Sequence, residues 1–445
     1  MTLRSLRKPT LLWLLLGWNV LQAQSSAAAN ILPSPTGSRA VARVTYAWVD
    51  SSRAPFIEEN ATGHRELVVD VWYPAANPAG RTTAPYLPGL PTLRHLLGDS
   101  ALRAEFAPAY AAIELGSLRT HTTEGSPAAC AADGCPVLIF SHGGGVDRSF
   151  YTAQYEDLTS HGYVVAVIAH TYDTHLVVLP DGRAIPASAP PRDTTPPDQS
   201  LPRWRQALQR DARSQAYVRR VIAVEAADIR FVIDQLFRYT NDSALHAPWA
   251  NRLDLSRLGA LGHSAGGEAA ALACQLDRRL RACENQDGAM NNLPFARDPT
   301  GRVMEQPFLY FTRGHRPPVI SDGELAVMQM TKAEYDSLRK EILAGPTRLL
   351  ADIRGGASRI TLTTPGMTHM SFSDEPLIEA AGDSGKMSNA QLALRIINTY
   401  SRAFFDKTLR GQTGTALDHP AKGGSAFVTI ERFGPRPARR PGAKR

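Results

Sequence analysis

The sequence predicts an α/β protein whose mostly parallel sheet is covered by helices on both faces. Residues 136–140 (PVLIF) and 163–169 (YVVAVIA) are continuous apolar runs, the pattern of strands that are buried on both faces. Segments of helical periodicity separate the predicted strands, and this alternation is typical of α/β folds. Residues with catalytic chemistry follow the ends of these strands, where parallel sheets place their ligand sites.

The predicted elements begin with a pair of strands. Residues 39–50 and 65–73 alternate apolar and polar side chains, which predicts two antiparallel edge strands. Later strands are predicted at 136–140, 163–169, 258–261, 282–286, 307–312 and 359–363, and helices at 91–97, 102–115, 151–160, 218–236, from 331 onward and at 390–409. The polar, proline-rich residues 171–202 are interpreted either as a loop over the mouth of a pocket or as a disordered segment.

The two ends of the chain differ from the body in composition. Residues 1–23 combine Arg4, Arg7 and Lys8 with an apolar run that is too short to span a bilayer. This pattern predicts a cleaved signal peptide and a secreted or periplasmic protein, with a buried helix or an uncleaved anchor as the alternative. Residues 24–39 are predicted to be a linker, 40–432 the catalytic domain, and 433–445 a basic disordered tail.

The formal net charge of +7 is concentrated at these ends. Three positive residues lie in the leader and five in the tail, so the body of the chain is close to neutral. A neutral body argues against a groove for nucleic acid, which would need a basic surface. The tail is predicted to be a solubilising end, with peripheral contact with a lipid surface as the alternative.

The four cysteines fit an oxidising compartment. Nearest-neighbour pairing is favoured, Cys130 with Cys135 and Cys274 with Cys283, although four cysteines allow three pairings and free thiols remain an alternative. The cysteines are not accompanied by a histidine pair at ligand spacing, so no metal site is predicted. No cofactor is predicted either.

The stretch at 258–274 (LGALGHSAGGEAAALAC) predicts a strand, a sharp turn and a helix. Its turn, GHSAG at 262–266, matches the G-x-S-x-G nucleophile elbow, in which the two glycines flank a strained turn that has no room for side chains. Ser264 is therefore the candidate nucleophile. An ordinary glycine turn capped by serine is the alternative.

A serine nucleophile needs a base that takes its proton and a group that orients the base. In this fold the chain order is serine, acid, histidine. His369 follows the last strand predicted from the sequence and precedes the closing helix, so it is favoured as the base over His315 and His419. Asp287, directly at a strand end, is favoured as the acid over Asp322, which lies ten residues beyond its strand.

A glycine-rich loop, SHGGG at 141–145, directly follows the strand at 136–140. Acyl transfer needs two backbone N–H groups that point at the carbonyl oxygen on which negative charge develops. One is expected from Ala265, the residue after the nucleophile, and the other from the loop, with Gly143 and Gly144 as candidates. A plain glycine turn is the alternative for this loop.

These motifs resemble a known family. PVLIFSHGGG, GYVVAVIAH, LGHSAGG, NQDGAM before PFLYF, and the histidine of ITLTTPGMTHMSFSD are similar to the plasma-type platelet-activating factor acetylhydrolases and their bacterial relatives, a branch of the α/β-hydrolases. The resemblance covers residues 65–409. It implies an α/β-hydrolase fold and a serine-dependent, metal-independent enzyme that removes short or oxidised acyl chains from esters. It also implies Asp287 as the acid and Gly144 as the second oxyanion donor.

The leading hypothesis is a secreted carboxylic-ester hydrolase that forms an acyl-enzyme through a Ser-His-Asp triad. Its expected substrate is a small ester or lipid, with phospholipids like platelet-activating factor among the candidates. The alternatives are a polyester hydrolase or a serine peptidase on the same fold, or a non-catalytic binding protein of this fold. The sequence leaves acyl-chain length and oligomeric state open.

Overall fold

The computed structural model describes residues 31–56, 62–76, 82–105, 115–188, 193–290, 304–314, 320–419 and 425–435. The strands are β1 (Ala40–Asp50), β2 (Arg65–Ala75), β3 (Thr83–Pro85), β4 (Arg119–Glu124), β5 (Cys135–Ser141), β6 (Val164–Ala169), β7 (Leu176–Val178), β8 (Ala184–Pro186), β9 (Leu253–His263), β10 (Leu280–Gln286), β11 (Phe308–Arg313), β12 (Ala357–Leu362) and β13 (Val428–Phe433). The helices are α1 (Leu90–Glu105), α2 (Thr152–Ser160), α3 (Arg203–Asn241), α4 (Ala265–Leu276), α5 (Asp322–Met328), α6 (Lys332–Asp352), α7 (Glu375–Glu379) and α8 (Ser384–Arg410).

One sheet of 11 strands has the order β13-β12-β11-β10-β9-β5-β6-β2-β1-β4-β3. The six strands from β12 to β6 in this order are mutually parallel, which confirms the predicted mostly parallel sheet. From the boundary between β5 and β9 the chain progresses outward on both sides, so this boundary is a topological switch point. Parallel sheets bind ligands at such points, and the loops after β5 and β9 meet there.

Helices cover both faces of this sheet, as predicted. Alternate residues of β5 point to opposite faces: Val137 and Ile139 belong to one buried apolar cluster, Leu138 and Phe140 to the other. Helices α3 and α4 complete the first cluster, and α2 and α8 complete the second. The apolar run of β5 is continuous because both of its faces are covered by helices.

The first two strands differ in part from the sequence prediction. They pair antiparallel along their whole lengths, as predicted. They are not edge strands, however, because β4 pairs with β1 on one side and β6 pairs with β2 on the other. The observed edges are β3 and β13, and β13 pairs antiparallel with β12. Neither edge strand was predicted, since both are short or partly exposed and carry little apolar periodicity.

Helix α3 begins at Arg203, well before the periodic residues at 218–236 that predicted it. Its buried residues all lie between Val221 and Leu236. The N-terminal half therefore has no buried apolar face, and its sequence lacks the helical periodicity that would have predicted it. The predicted capping box of α6 is present: Thr331 and Glu334 exchange hydrogen bonds at its N-terminus. Of the helix predicted at 102–115, residues 106–114 lie outside the described residues.

Part of the predicted linker is packed against the body of the protein. Ile31 and Leu32 are buried in the apolar core. Thr36 donates from its amide and its hydroxyl to Asp157 Oδ1, at 2.9 and 2.7 Å. Residues 31–39 therefore differ from the linker interpretation. The predicted signal peptide at 1–23 and residues 436–445 of the basic tail lie outside the described residues.

The proline-rich segment after β6 is ordered in its first part. Strands β7 and β8 form an antiparallel hairpin, and Val177 and Leu179 are buried against Val68 and Ala169. The disordered alternative therefore fails for residues 171–188, and residues 189–192 lie outside the described residues. Within the described ranges, no helix has the length and apolar character needed to cross a bilayer.

The two disulfides have the nearest-neighbour pairing that the sequence favoured. Cys130 is bonded to Cys135 at the start of β5, and Cys274 is bonded to Cys283. The second bond joins the end of α4 to β10 beneath the elbow, with both cysteines fully buried.

Candidate active site

The strand, turn and helix predicted around Ser264 are present. Ser264 lies between β9 and α4 with φ 54° and ψ −124°, a strained conformation for a residue with a side chain. A β-carbon on Gly262 would lie 2.5 Å from Ser141 O, and one on Gly266 would overlap the carbonyl oxygens of Ser141 and His142. Glycine is therefore required on both sides of the turn, which exposes the serine at the positive end of α4.

Asp287 lies beside this turn at the end of β10. The Ser264 amide donates to Gln286 O at 2.9 Å, so the serine turn and the end of β10 are directly hydrogen-bonded. Asp287 has a φ of 55° and is largely buried, with 7% of its side chain exposed. Asp322, the alternative acid, instead begins helix α5, which Ser321 caps.

His369 Nδ1 lies 2.7 Å from Asp287 Oδ2. The histidine begins a short 3₁₀ turn after β12, and its ring centroid is 4.5 Å from that of His263, the residue before Ser264. Its side chain is 38% exposed, so the ring lies between a buried carboxylate and the solvent. His315 lies outside the described residues, and His419 lies in a turn near the C-terminus, where its amide bonds to Thr415 O.

The amides of the glycine-rich loop have different partners. The Gly143 N–H donates to Tyr151 Oη at 3.0 Å, and the Gly145 N–H to Asp173 Oδ2 at 3.3 Å. The assignment of Gly143 as an oxyanion donor is therefore corrected, because its N–H is already engaged. Among the described residues, the Gly144 and Ala265 amides have no acceptor. A β-carbon on Gly144 would lie 3.6 Å from Ala265 Cβ, so these two residues are close neighbours.

Tyr151 connects this loop to the elbow. Its hydroxyl accepts from the Gly143 amide and forms a second hydrogen bond, of 2.9 Å, with His263 Nδ1. Burial raises the pKa of Tyr151. Burial, followed by the charge of His369, holds the pKa of His263 well below its ordinary value. Both groups are thus neutral near pH 7, and the bond between them fixes the loop against β9.

Arg313 is a site residue that the sequence reasoning missed. It ends β11, and its Nε donates to Asp287 Oδ2 at 2.6 Å while its amide donates to Asp287 Oδ1 at 3.3 Å. Both carboxylate oxygens of Asp287 therefore accept hydrogen bonds from Arg313. The available signal was positional, since Arg313 directly follows the apolar run of a parallel strand, at the same sheet edge as the other candidates. Within the part of the chain that the structure describes, no cluster of three His, Cys, Asp or Glu side chains forms a metal site.

Comparisons with known proteins agree with the fold and with an esterase activity. A family model described as platelet-activating factor acetylhydrolase, isoform II, matches residues 54–179. A probable 1-alkyl-2-acetylglycerophosphocholine esterase from Arthroderma benhamiae is 25% identical over 417 residues, covering 90% of this chain and 93% of that protein. The solved structure of a ferulic acid esterase from Streptomyces cinnamoneus aligns with a TM-score of 0.61 and 25% identity, over 90% of this chain and 98% of that chain.

The fold and these comparisons define the chain as a carboxylic ester hydrolase of the α/β-hydrolase fold. Within that class, the resemblance to the platelet-activating factor acetylhydrolases, predicted from the sequence motifs, is confirmed.

Proposed function

We propose that the protein is a secreted ester hydrolase in which Ser264 is the nucleophile, His369 the general base and Asp287 the residue that orients the base. The observation that carries this proposal is the 2.7 Å contact between His369 Nδ1 and Asp287 Oδ2, beside a strained serine turn. The carboxylate keeps the proton on Nδ1 and leaves Nε2 as the lone-pair nitrogen that can accept the serine proton. Two disulfides support an oxidising, extracellular compartment.

In the proposed reaction, Ser264 Oγ attacks the ester carbonyl carbon while its proton passes to His369. The carbonyl electron pair moves to oxygen, and the N–H groups of Gly144 and Ala265 stabilise the resulting oxyanion. The alcohol leaves with the proton from His369, which gives an acyl-enzyme. Water then attacks the acyl carbon of the acyl-enzyme while His369 takes a proton from it. The bond between this carbon and Ser264 Oγ breaks, His369 returns the proton to Oγ, and the carboxylic acid is released.

The proposed substrates are esters of short or oxidised acyl chains. Phospholipids like platelet-activating factor are proposed because the curated relative is named an esterase of 1-alkyl-2-acetylglycerophosphocholine. Esters of ferulic acid are a second candidate, because the aligned solved structure is a ferulic acid esterase. Gly144 and Ala265 are small residues, so neither narrows the space beside the serine.

The proposal is tested with Ser264→Ala on p-nitrophenyl acetate and butyrate. Removal of a triad serine lowers kcat by about a millionfold, so turnover is expected to fall to background while the thermal unfolding temperature is retained. Ser388→Ala, on the exposed side of α8, is the matched control and is expected to keep full activity. A folded Ser264→Ala protein that retains a tenth of the activity contradicts the proposal.

Two further measurements separate the alternatives. A fluorophosphonate probe is expected to label Ser264 in the wild-type protein, whereas a non-catalytic binding protein stays unlabelled. A substrate panel then compares acetyl and oxidised-acyl phospholipids, methyl ferulate, a polyester film and a peptide. The highest kcat/KM is expected for the phospholipid group, and a preference for polyester or peptide would favour those functions instead.

A further inference from the structure

His142 is fully buried in the glycine-rich loop, and its contacts define its tautomer. The His170 amide donates to His142 Nε2 at 3.2 Å. Because a backbone N–H can only donate, Nε2 carries a lone pair and the ring proton is on Nδ1. This Nδ1 lies 2.9 Å from Gly143 O, which can only accept. His142 therefore donates a hydrogen bond to the carbonyl of the next residue.

The ring is held in this state from several directions. Thr174 Oγ1 lies 3.0 Å from His142 Nε2 and provides a second donor to it. Burial, followed by the neighbouring His170, lowers the pKa of His142 to about 4, so the ring is neutral over the working range of most esterases. The His170 ring is fixed in turn, since its Nδ1 lies 2.8 Å from Asp228 Oδ2 and its Nε2 lies 2.9 Å from Ser141 Oγ.

Asp228 anchors this network in helix α3. Burial raises the pKa of Asp228. The Arg65 charge and the hydrogen bonds from His170 and Arg65 outweigh this effect and hold the pKa below its ordinary value. Arg65 donates through Nε at 3.1 Å and through a second nitrogen at 2.5 Å. The side chains of Arg65, Asp228, His170 and Ser141 are all fully buried. Ser141, His170 and Asp228 are hydrogen-bonded in the manner of a catalytic triad, but their burial leaves no access for a substrate.

The bond from His142 acts on the peptide that carries a proposed oxyanion donor. The Gly143 carbonyl and the Gly144 N–H belong to one planar, trans peptide and point in opposite directions. Fixing the direction of Gly143 O therefore fixes the direction of the Gly144 N–H. Gly143 O also accepts from the Val146 amide at 3.0 Å, and the bond from His142 is the second of the two that hold this carbonyl.

We propose that His142 is a positioning residue for ester hydrolysis, which aims the Gly144 N–H at the oxyanion by hydrogen-bonding Gly143 O and is itself held by His170 and Thr174. This inference rests on the proposed function of Ser264 and of the Gly144 amide. Its predicted effect is on the transition state, because the carbonyl oxygen of the bound ester is uncharged and gains little from the amide.

The test compares His142→Leu with the wild-type enzyme on p-nitrophenyl butyrate. The variant is expected to lose kcat by about tenfold or more, with KM within about twofold, because loss of a full oxyanion donor costs about 100- to 1,000-fold and a misaligned donor costs part of this. A short trifluoromethyl ketone is the second probe. Ser264 Oγ adds to its carbonyl carbon, the serine proton passes to His369 and the oxygen becomes an oxyanion, so its affinity is expected to fall in parallel with kcat/KM.

His142→Asn is the rescue variant, because its amide nitrogen can take the place of Nδ1 and donate to Gly143 O. It is expected to retain kcat within about threefold, and it keeps the proposal testable if the leucine variant does not fold. His121→Leu is the matched control, since the His121 ring also forms a hydrogen bond inside the fold, to Glu156, but lies on β4 away from the site. The control is expected to keep wild-type kcat.

The proposal is overturned if folded His142→Leu keeps kcat within threefold of the wild type, or if folded His142→Asn loses as much activity as the leucine variant. These failures are distinct from a failure of the proposed function. If only the positioning role of His142 is wrong, Ser264 still reacts with a fluorophosphonate and the wild-type enzyme still cleaves esters. If the proposed function is wrong, Ser264 does not react with the probe.

Discussion

Arg313 Nε lies 2.6 Å from Oδ2 of Asp287, the same carboxylate oxygen that His369 Nδ1 contacts at 2.7 Å. The carboxylate thus binds a permanent cation as well as the imidazole that it is proposed to orient. The Arg313 side chain is 35% exposed, so this ion pair contributes mainly through geometry, because solvent screens its charge.

Arg313→Gln is expected to lower kcat by about tenfold with little change in KM. Without Nε, the carboxylate is held only by the amide bond to Oδ1 and by His369, so the imidazole loses its fixed orientation. Arg359→Gln provides a matched control, because Arg359 forms an ion pair with Glu431, also at 2.6 Å, on the outer strands β12 and β13. Steady-state kinetics in which both variants behave alike would show that Arg313 has no specific role.

The contribution of Glu268 to the stability of the fold is expected to fall as pH rises above about 5. Burial raises the pKa of Glu268, in the first turn of α4, from 4.5 to about 8. Between these values the unfolded chain has released its proton and the folded chain has not, so the folded state binds more protons and loses stability with increasing pH. The loss attributable to Glu268 is roughly 3 kcal/mol between pH 5 and 8.

This pH dependence is measured by urea unfolding at pH 5, 6.5 and 8. Glu268→Gln is neutral at every pH, so the unfolding free energy of the wild type, taken relative to that of this variant, is expected to decline from pH 5 to pH 8. Other buried groups titrate equally in both proteins and cancel in this difference, among them Glu284, whose pKa burial raises to about 7. Glu341→Gln is the control, because the Glu341 side chain is 68% exposed. A profile with the same slope in the wild type and in Glu268→Gln would show that Glu268 is ionised in the folded protein.

The two disulfides are expected to differ in their resistance to reduction. Cys130 is half-buried, whereas Cys274 and Cys283 are fully buried, so a thiol reductant reaches the bond at Cys130 first. Mass spectrometry after alkylation at graded reductant concentrations gives the order of opening. The double variant Cys274→Ala, Cys283→Ala is expected to lose about 2 to 3 kcal/mol of unfolding free energy. Equal alkylation of both pairs at low reductant would contradict the predicted order.

Gly266→Ala is expected to lower the unfolding free energy by about 3 kcal/mol or more, or to prevent folding. Its β-carbon would overlap two backbone oxygens, and backbone cannot move aside as a flexible side chain can. Gly323→Ala is the matched control in helix α5, where no described atom lies within 4 Å of the new carbon, and it is expected to be neutral or slightly stabilising. Thermal unfolding of both variants provides the comparison.

The sequence by itself determined the elements whose causes are local. Doubly buried strands follow from apolar runs, and the elbow around Ser264 follows from two glycines between a strand and a helix. The order of strands along the chain also pointed to His369 and Asp287, because in a parallel sheet strand ends meet at one edge. Edge strands such as β13 escaped prediction because a half-exposed strand carries little apolar pattern.

Only the tertiary structure decided which groups around the serine are available. Whether Gly143 or Gly144 can donate to an oxyanion depends on Tyr151, and the setting of Asp287 depends on Arg313, which ends a different strand. The tautomer of His142 depends on the His170 amide. These partners are distant along the chain or follow no periodic pattern. A backbone N–H or a carboxylate oxygen forms a hydrogen bond with whichever group the folded sheet brings within about 3 Å. No local sequence pattern encodes that distance.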